Sequence, residues 1–176
     1  MATPPVPGVR YVEGFLRDHA QLLAWAIAEV PWDDRIQARK TASFGVPYDY
    51  AGLTYAKVPF PAPIEALRAR VEAELAFPAN NSLLNYYPTG ASRMGFHSDS
   101  AMGLVEGSGV AIVSLGAQRP LRFRRTAQLD DRFDVVLAPG SLLWMDQAVQ
   151  QIWQHALPRS STHDPRISVT FRAVLV

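Results

Sequence analysis

The chain has 176 residues, 17 lysines and arginines against 16 acidic residues, a formal net charge of +1, and no cysteine. That length suits one domain around one core, and the near-zero charge argues against a protein that coats nucleic acid through many phosphate contacts. The missing cysteines remove disulfides, thiolate metal sites and cysteine nucleophiles. No apolar run approaches the roughly 18 residues a membrane span requires, and the Pro-rich Met1–Arg10 segment lacks the apolar core of a secretion signal. The expectation is a soluble, cytoplasmic, monomeric protein of one domain over residues 1–176.

Within Gly14–Val30 the residues Phe15, Leu22, Leu23, Ala26, Ile27 and Val30 fall at helical spacing, and Pro31 ends the pattern. Pro31–Pro61 carries Phe44, Tyr48, Tyr50, Tyr55 and Phe60 without a long period, which predicts an irregular, aromatic-rich segment with at most one hairpin. Ile64, Leu67, Val71 and Leu75 predict a second helix, with Pro63 in its first turn and Pro78 beyond its end. From Asn81 onward the pattern changes to short apolar runs. Ser82–Tyr87, Gly109–Leu115, Leu121–Arg125, Phe133–Leu137, Ser141–Met145 and Ile167–Val176 predict strands. Pro88–Gly90, Gly116, Arg119–Pro120 and Pro139–Gly140 supply the turns. Two helices followed by six or more strands imply an α+β domain on an antiparallel sandwich or barrel.

Of the four histidines, His97 is two residues from Asp99, and in an extended segment such residues project from one face. Two histidines and one carboxylate make a facial triad that holds Fe(II) and leaves positions open for co-substrate and O2. His-x-Asp alone occurs by chance in many chains, so a third ligand must come from elsewhere. His155 lies in the amphipathic extended stretch Ile152–Leu157, whereas the competing His163 lies in a polar turn; His155 is therefore expected to be the third. In the strand that follows, Arg166, Ser168, Thr170 and Arg172 share one face and Ile167, Val169 and Phe171 the other. Burying the polar face is costly without a polar ligand, and arginine suits a carboxylate. On an earlier strand Asn85 and Tyr87 likewise share a face.

Taken in order, Asn85-x-Tyr87-x-x-Gly90, His97-x-Asp99, His155 and Arg166-x-Ser-x-Thr-x-Arg172 resemble the AlkB-like family of Fe(II)- and 2-oxoglutarate-dependent dioxygenases. The stretch Val113–Arg124 also fits, as does Arg39–Gly45 with Tyr48, Tyr50, Gly52 and Tyr55, which looks like the family's nucleotide-recognition lid. The resemblance implies a double-stranded β-helix, or jelly roll, over about residues 81–176, with N-terminal helices packed outside it and a lid over about residues 39–60. It implies Fe(II) on His97, Asp99 and His155. It implies 2-oxoglutarate with its distal carboxylate on Arg166 and with Asn85, Tyr87, Ser168 and Thr170 around it, while Arg172 sits at the iron end beside Asp99. With O2, such an enzyme hydroxylates a C–H bond and releases succinate; on an N-methyl group the product collapses to formaldehyde.

The family's repair members carry an acidic residue shortly after His-x-Asp, whereas this chain continues Ser100–Ala101–Met102–Gly103 with no acid before Glu106. The expected substrate is an N-alkylated nucleobase in DNA or RNA, single-stranded so that no base pair need be broken. Tyr48, Tyr50 and Tyr55 would stack on that base. Arg119, Arg122, Arg124 and Arg125 would contact phosphates, unless they merely guard an exposed edge strand. The alternative keeps the same chemistry on a small molecule or a protein side chain; a non-enzymatic jelly-roll binding domain is the third reading.

Overall fold

The computed structural model describes residues 6–47, 55–99 and 103–176. Val9–Val12 (β1) and His19–Glu29 (α1) come first, then Lys40–Gly45 (β2) and Ala62–Leu75 (α2). The strands that follow are Asn81–Tyr87 (β3), Met94–His97 (β4), Gly109–Gly116 (β5), Arg119–Arg125 (β6), Arg132–Leu137 (β7), Leu142–Asp146 (β8), Trp153–Leu157 (β9) and Arg166–Arg172 (β10). A short helix, Gln147–Ile152 (α3), joins β8 to β9. No helix among the described residues is long and apolar enough to cross a membrane.

Two antiparallel sheets form, in the orders β1-β8-β5-β10-β3-β2 and β4-β9-β6-β7. They pack face to face as the expected jelly roll, around a core that includes Ile112, Leu121, Phe123, Leu137 and Leu143. The six-stranded sheet turns its other face to the helices. There Ile64, Leu67 and Val71 of α2 and Ala26 of α1 pack against Val113, Leu115, Ile167, Val169 and Phe171. In α2 the spacing that predicted a helix is what buries it, and Pro63 sits in the first turn, where its missing N–H is not needed.

Strand β10 lies between β5 and β3, so both of its edges are hydrogen-bonded and all seven of its residues are buried. Its alternation holds as expected: Ile167, Val169 and Phe171 enter the helix-side core, leaving Arg166, Ser168, Thr170 and Arg172 for the space between the sheets.

Several expectations are corrected. The jelly-roll sheet takes in β1 and β2, both before residue 81. Lys40–Gly45, placed in an irregular segment, is a strand because β3 offers it a complete antiparallel partner, Lys40 opposite Tyr86 through Gly45 opposite Asn81. Arg119 and Pro120 begin β6 instead of turning the chain, and the last strand ends at Arg172, short of Val176. Strand β6 is not an edge: β9 and β7 flank it.

The turn after β3 depends on Gly90. Its N–H donates to the Thr162 carbonyl at 2.8 Å, and its own carbonyl accepts from Ser160 N–H at 3.0 Å. A Cβ there would lie 2.3 Å from the Ser160 carbonyl oxygen, with backbone on both sides of the clash. Gly90→Ala should therefore cost about 1–3 kcal/mol, the usual penalty of overpacking, and a thermal melt should show a Tm several degrees lower. An unchanged Tm would mean the two segments are not held together.

Candidate active site

The β4–β9 pairing places His97 directly opposite His155, so the two rings meet on one face, centroids 4.3 Å apart. Between Met94 and His97 the register shifts by one residue, a bulge that brings both side chains to the inner face. Asp99 lies two residues past the end of β4 and is fully buried, and its Oδ2 is 3.6 Å from His155 Nε2. One ligand atom from each of His97, Asp99 and His155 falls within 4.8 Å of the others. Among the described residues this is the one group of three or more His, Cys, Asp or Glu arranged to hold a metal ion. His163 is exposed in its turn and takes no part.

The protonation states suit a metal. Burial would raise the Asp99 carboxyl, but the neighbouring Arg172 guanidinium, and then the two imidazoles, hold it at about 2. Burial lowers His155 to about 3, and His97 and Arg172 oppose a charge there more than Asp99 favours it. The His155–Asp99 contact is therefore a neutral imidazole beside a carboxylate, not an ion pair. Both groups are already in the form that ligates. His97 Nδ1 is 3.0 Å from the Gly95 carbonyl; a carbonyl only accepts, so Nδ1 carries the proton and Nε2 is the nitrogen that can ligate.

Arg172 grips the Asp99 carboxylate through Nε, at 3.1 Å, and through a second, shorter contact from Nη2, both to Oδ1. That leaves Oδ2 turned toward the histidines. Across the β3–β10 ladder Arg166 pairs with Tyr87 and Ser168 with Asn85, which assembles the expected co-substrate residues on one face. A cavity between the sheets runs past Asn85, Tyr87, Arg166, Ser168, Thr170 and Arg172 to the triad. Arg166 is 1% exposed and donates from Nη2 to Ser114 Oγ at 3.1 Å. Its Nε and Nη1 have no hydrogen-bond partner among the described residues. Burial lowers this guanidinium to about 10, which still leaves it charged at neutral pH. A buried cation with idle donors facing a cavity is a seat for an anion.

The sequence-expected substrate residues fare differently. Tyr48 and Tyr50 lie outside the described residues. Tyr55 holds a hydrogen bond of 2.7 Å between its hydroxyl and Thr41 Oγ1 on β2. Arg119 is corrected: it is 1% exposed, facing inward with Leu121 and Phe123. Its guanidinium donates to the carbonyls of Thr89, Ser92 and Pro158, so no phosphate can reach it. Arg122 and Arg125 pair with Asp134 and Asp131. Two contributors escaped the sequence. Arg39, buried, donates to Asn85 Oδ1 at 2.7 Å and so turns the Asn85 amide nitrogen away from itself. Gln150 reaches the backbone of Asp99.

Residues 9–172 match the model of the 2OG-Fe(II) oxygenase superfamily. The chain belongs to that superfamily. Within it the resemblance is AlkB-like: the chain is 36% identical over 149 residues to DNA oxidative demethylase ALKBH2 of Homo sapiens, covering 78% of this chain and 57% of that protein. It is 29% identical over 179 residues to alpha-ketoglutarate-dependent dioxygenase alkB homolog 3 of Mus musculus, covering 90% and 63%. The chain thus spans about three fifths of the length of these two relatives. The solved structure of OsALKBH1 superimposes with a TM-score of 0.74 over 97% of this chain at 15% identity, and so shares the fold. A 2OG-Fe(II) oxygenase uses Fe(II), 2-oxoglutarate and O2, and the donor sets here fit: two imidazoles and a carboxylate for the iron, an unsatisfied guanidinium for the diacid.

If His155 is the third ligand, metal-free protein carrying His155→Ala should lose its affinity for Co(II) in a titration, whereas His163→Ala should keep it. The reverse pattern would reassign the ligand.

Proposed function

We propose that the protein is an Fe(II)- and 2-oxoglutarate-dependent dioxygenase that oxidatively demethylates N-alkylated nucleobases, acting on single strands. The observation that carries the chemistry is the lining of the cavity between the sheets, where the triad and the buried Arg166 with its two idle donors face the same space. His97, Asp99 and His155 would hold the iron and Arg166 the distal carboxylate of the diacid. The amide of Asn85 and the phenol of Tyr87 would complete the hydrogen bonds, above a floor of Ser168 and Thr170. Bound there, the iron and the co-substrate supply the oxidising power for hydroxylating a C–H bond. The protein's share is to orient and enclose: Arg172 holds Asp99 Oδ1, so that Oδ2 would be the oxygen offered to the iron, and every residue of the β10 face is buried.

The substrate reading is supported by the named activity of the ALKBH2 relative and by Tyr55, whose hydroxyl is hydrogen-bonded to Thr41 on β2, two residues after Arg39. One observation favours the small-molecule alternative: Arg122 and Arg125 are already paired with aspartates and Arg119 is buried, so little of the arginine cluster is available to phosphates.

Succinate release measured against a panel of methylated oligonucleotides and small metabolites separates the two. Stimulation by a methylated single strand is expected; stimulation by a metabolite alone would replace the nucleobase reading. Within the panel, Tyr55→Ala should weaken oligonucleotide binding by about 1–3 kcal/mol, the worth of stacking on a base. Uncoupled 2-oxoglutarate turnover should survive that change.

Arg166→Lys tests the co-substrate assignment. Lysine keeps the charge but not the planar pair of donors, and a hydrogen bond to a charged group is worth about 1.5–3 kcal/mol. The KM for 2-oxoglutarate should rise by about tenfold or more, and an unchanged KM would remove Arg166 from this role.

A further inference from the structure

The third ligand and the middle ligand of the triad are fixed by the same short segment. Strand β4 leaves its ladder at His97, the last residue paired with β9, so the Asp99 N–H emerges into a buried region with no strand to receive it. Such a donor must find a partner or carry the cost of desolvation. Its partner is Gln150 Oε1, at 3.0 Å, on a side chain only 4% exposed. The other end of that amide, Nε2, faces the Met145 sulfur at 3.7 Å, so the acceptor oxygen points to Asp99. One residue earlier, Ser98 Oγ donates to the Trp153 carbonyl at 3.1 Å.

Gln150 rides on α3, which is closed at both ends: the Val149 N–H donates to Asp146 Oδ1 at 2.9 Å, and the Trp153 N–H donates to the Val149 carbonyl. Five residues further on, the same chain presents His155. Asp99 is thus held at two points, its backbone by Gln150 and one carboxylate oxygen by Arg172, and only Oδ2 is left toward the histidines.

We propose that Gln150 is a positioning residue for the metal carboxylate: its backbone hydrogen bond sets the place of Asp99 relative to His155, and so sets metal affinity. This rests on the triad reading above. Removing an outer partner of a metal ligand generally costs about 10–100-fold in metal affinity. Gln150→Met keeps the length and unbranched shape and removes the acceptor; Gln150→Glu keeps an acceptor oxygen whether charged or protonated. Mn(II) affinity of the metal-free proteins, measured by titration without co-substrate, is compared with the Tm of the same samples. Gln150→Met should bind Mn(II) about tenfold or more weakly, while Gln150→Glu binds as tightly as the unsubstituted protein. A purely structural role would lower the Tm of Gln150→Met and leave its Mn(II) affinity alone, and that result overturns the proposal. So does a Gln150→Glu variant with weak Mn(II) binding, even if Gln150→Met fails to fold. Failure of the unsubstituted protein to bind Mn(II) would instead overturn the triad reading, and this proposal with it.

Discussion

A carboxylate buried beneath two imidazoles is expensive unless a cation meets it, and here Arg172 does, from the end of the last strand. Breaking a buried pair by removing one partner leaves an uncompensated charge in the interior, which is far worse than never having built the pair. The contact joins residues 73 positions apart and ties the six-stranded sheet, which supplies Arg172, to the loop that extends from the four-stranded sheet and supplies Asp99. It also makes a chemical choice. By occupying Oδ1 it leaves Asp99 a single oxygen for a metal. One ion pair thus links the two sheets at the site and orients the Asp99 carboxylate within the triad.

The register of β10 is fixed from both sides by the same logic. Its outer face supplies Ile167, Val169 and Phe171 to the helix core, and its inner face supplies the four polar residues. A slip of one residue would exchange the faces, sending two arginines into α1 and α2 and a phenylalanine into the cavity. Neither core tolerates that. The strand that carries the co-substrate residues is therefore also one whose register burial specifies on both faces.

Alternation made β10, and with it the co-substrate face, legible in the sequence, and helical spacing did the same for α2. The triad was legible because two of its members are near neighbours and histidines are few. What could not be read depends on partners distant in the chain. Lys40–Gly45 has no decisive alternation of its own, and it is a strand because β3 pairs with it. The six-residue α3 is too short to show a period; its one local signal was Asp146, an N-cap before the polar run. Arg119 was misplaced although a signal existed. It shares parity with Leu121 and Phe123, which predicts an inward side chain, but four arginines in seven residues look like a solvated face.

The charge of the interior points to the ligand independently of the family. Among the described residues four arginines are buried, Arg39, Arg119, Arg166 and Arg172, against one buried carboxylate, Asp99. Such an excess is tolerable only where each guanidinium is met by something. Arg172 is met by Asp99, Arg119 by three backbone carbonyls, and Arg39 has Asn85 among its partners. Arg166 has one neutral hydroxyl and two idle donors. The desolvation that drags its pKa down to about 10 is the unbalanced part of this account, and a carboxylate arriving through the cavity would balance it. The iron end already has its anion in Asp99. It is the far end of the strand, some six residues away, that still requires one, so the molecule that fills this cavity must carry its negative charge well away from the metal. A diacid that chelates at one end and pairs with arginine at the other meets that requirement; a monoacid bound only at the metal would leave Arg166 as costly as before.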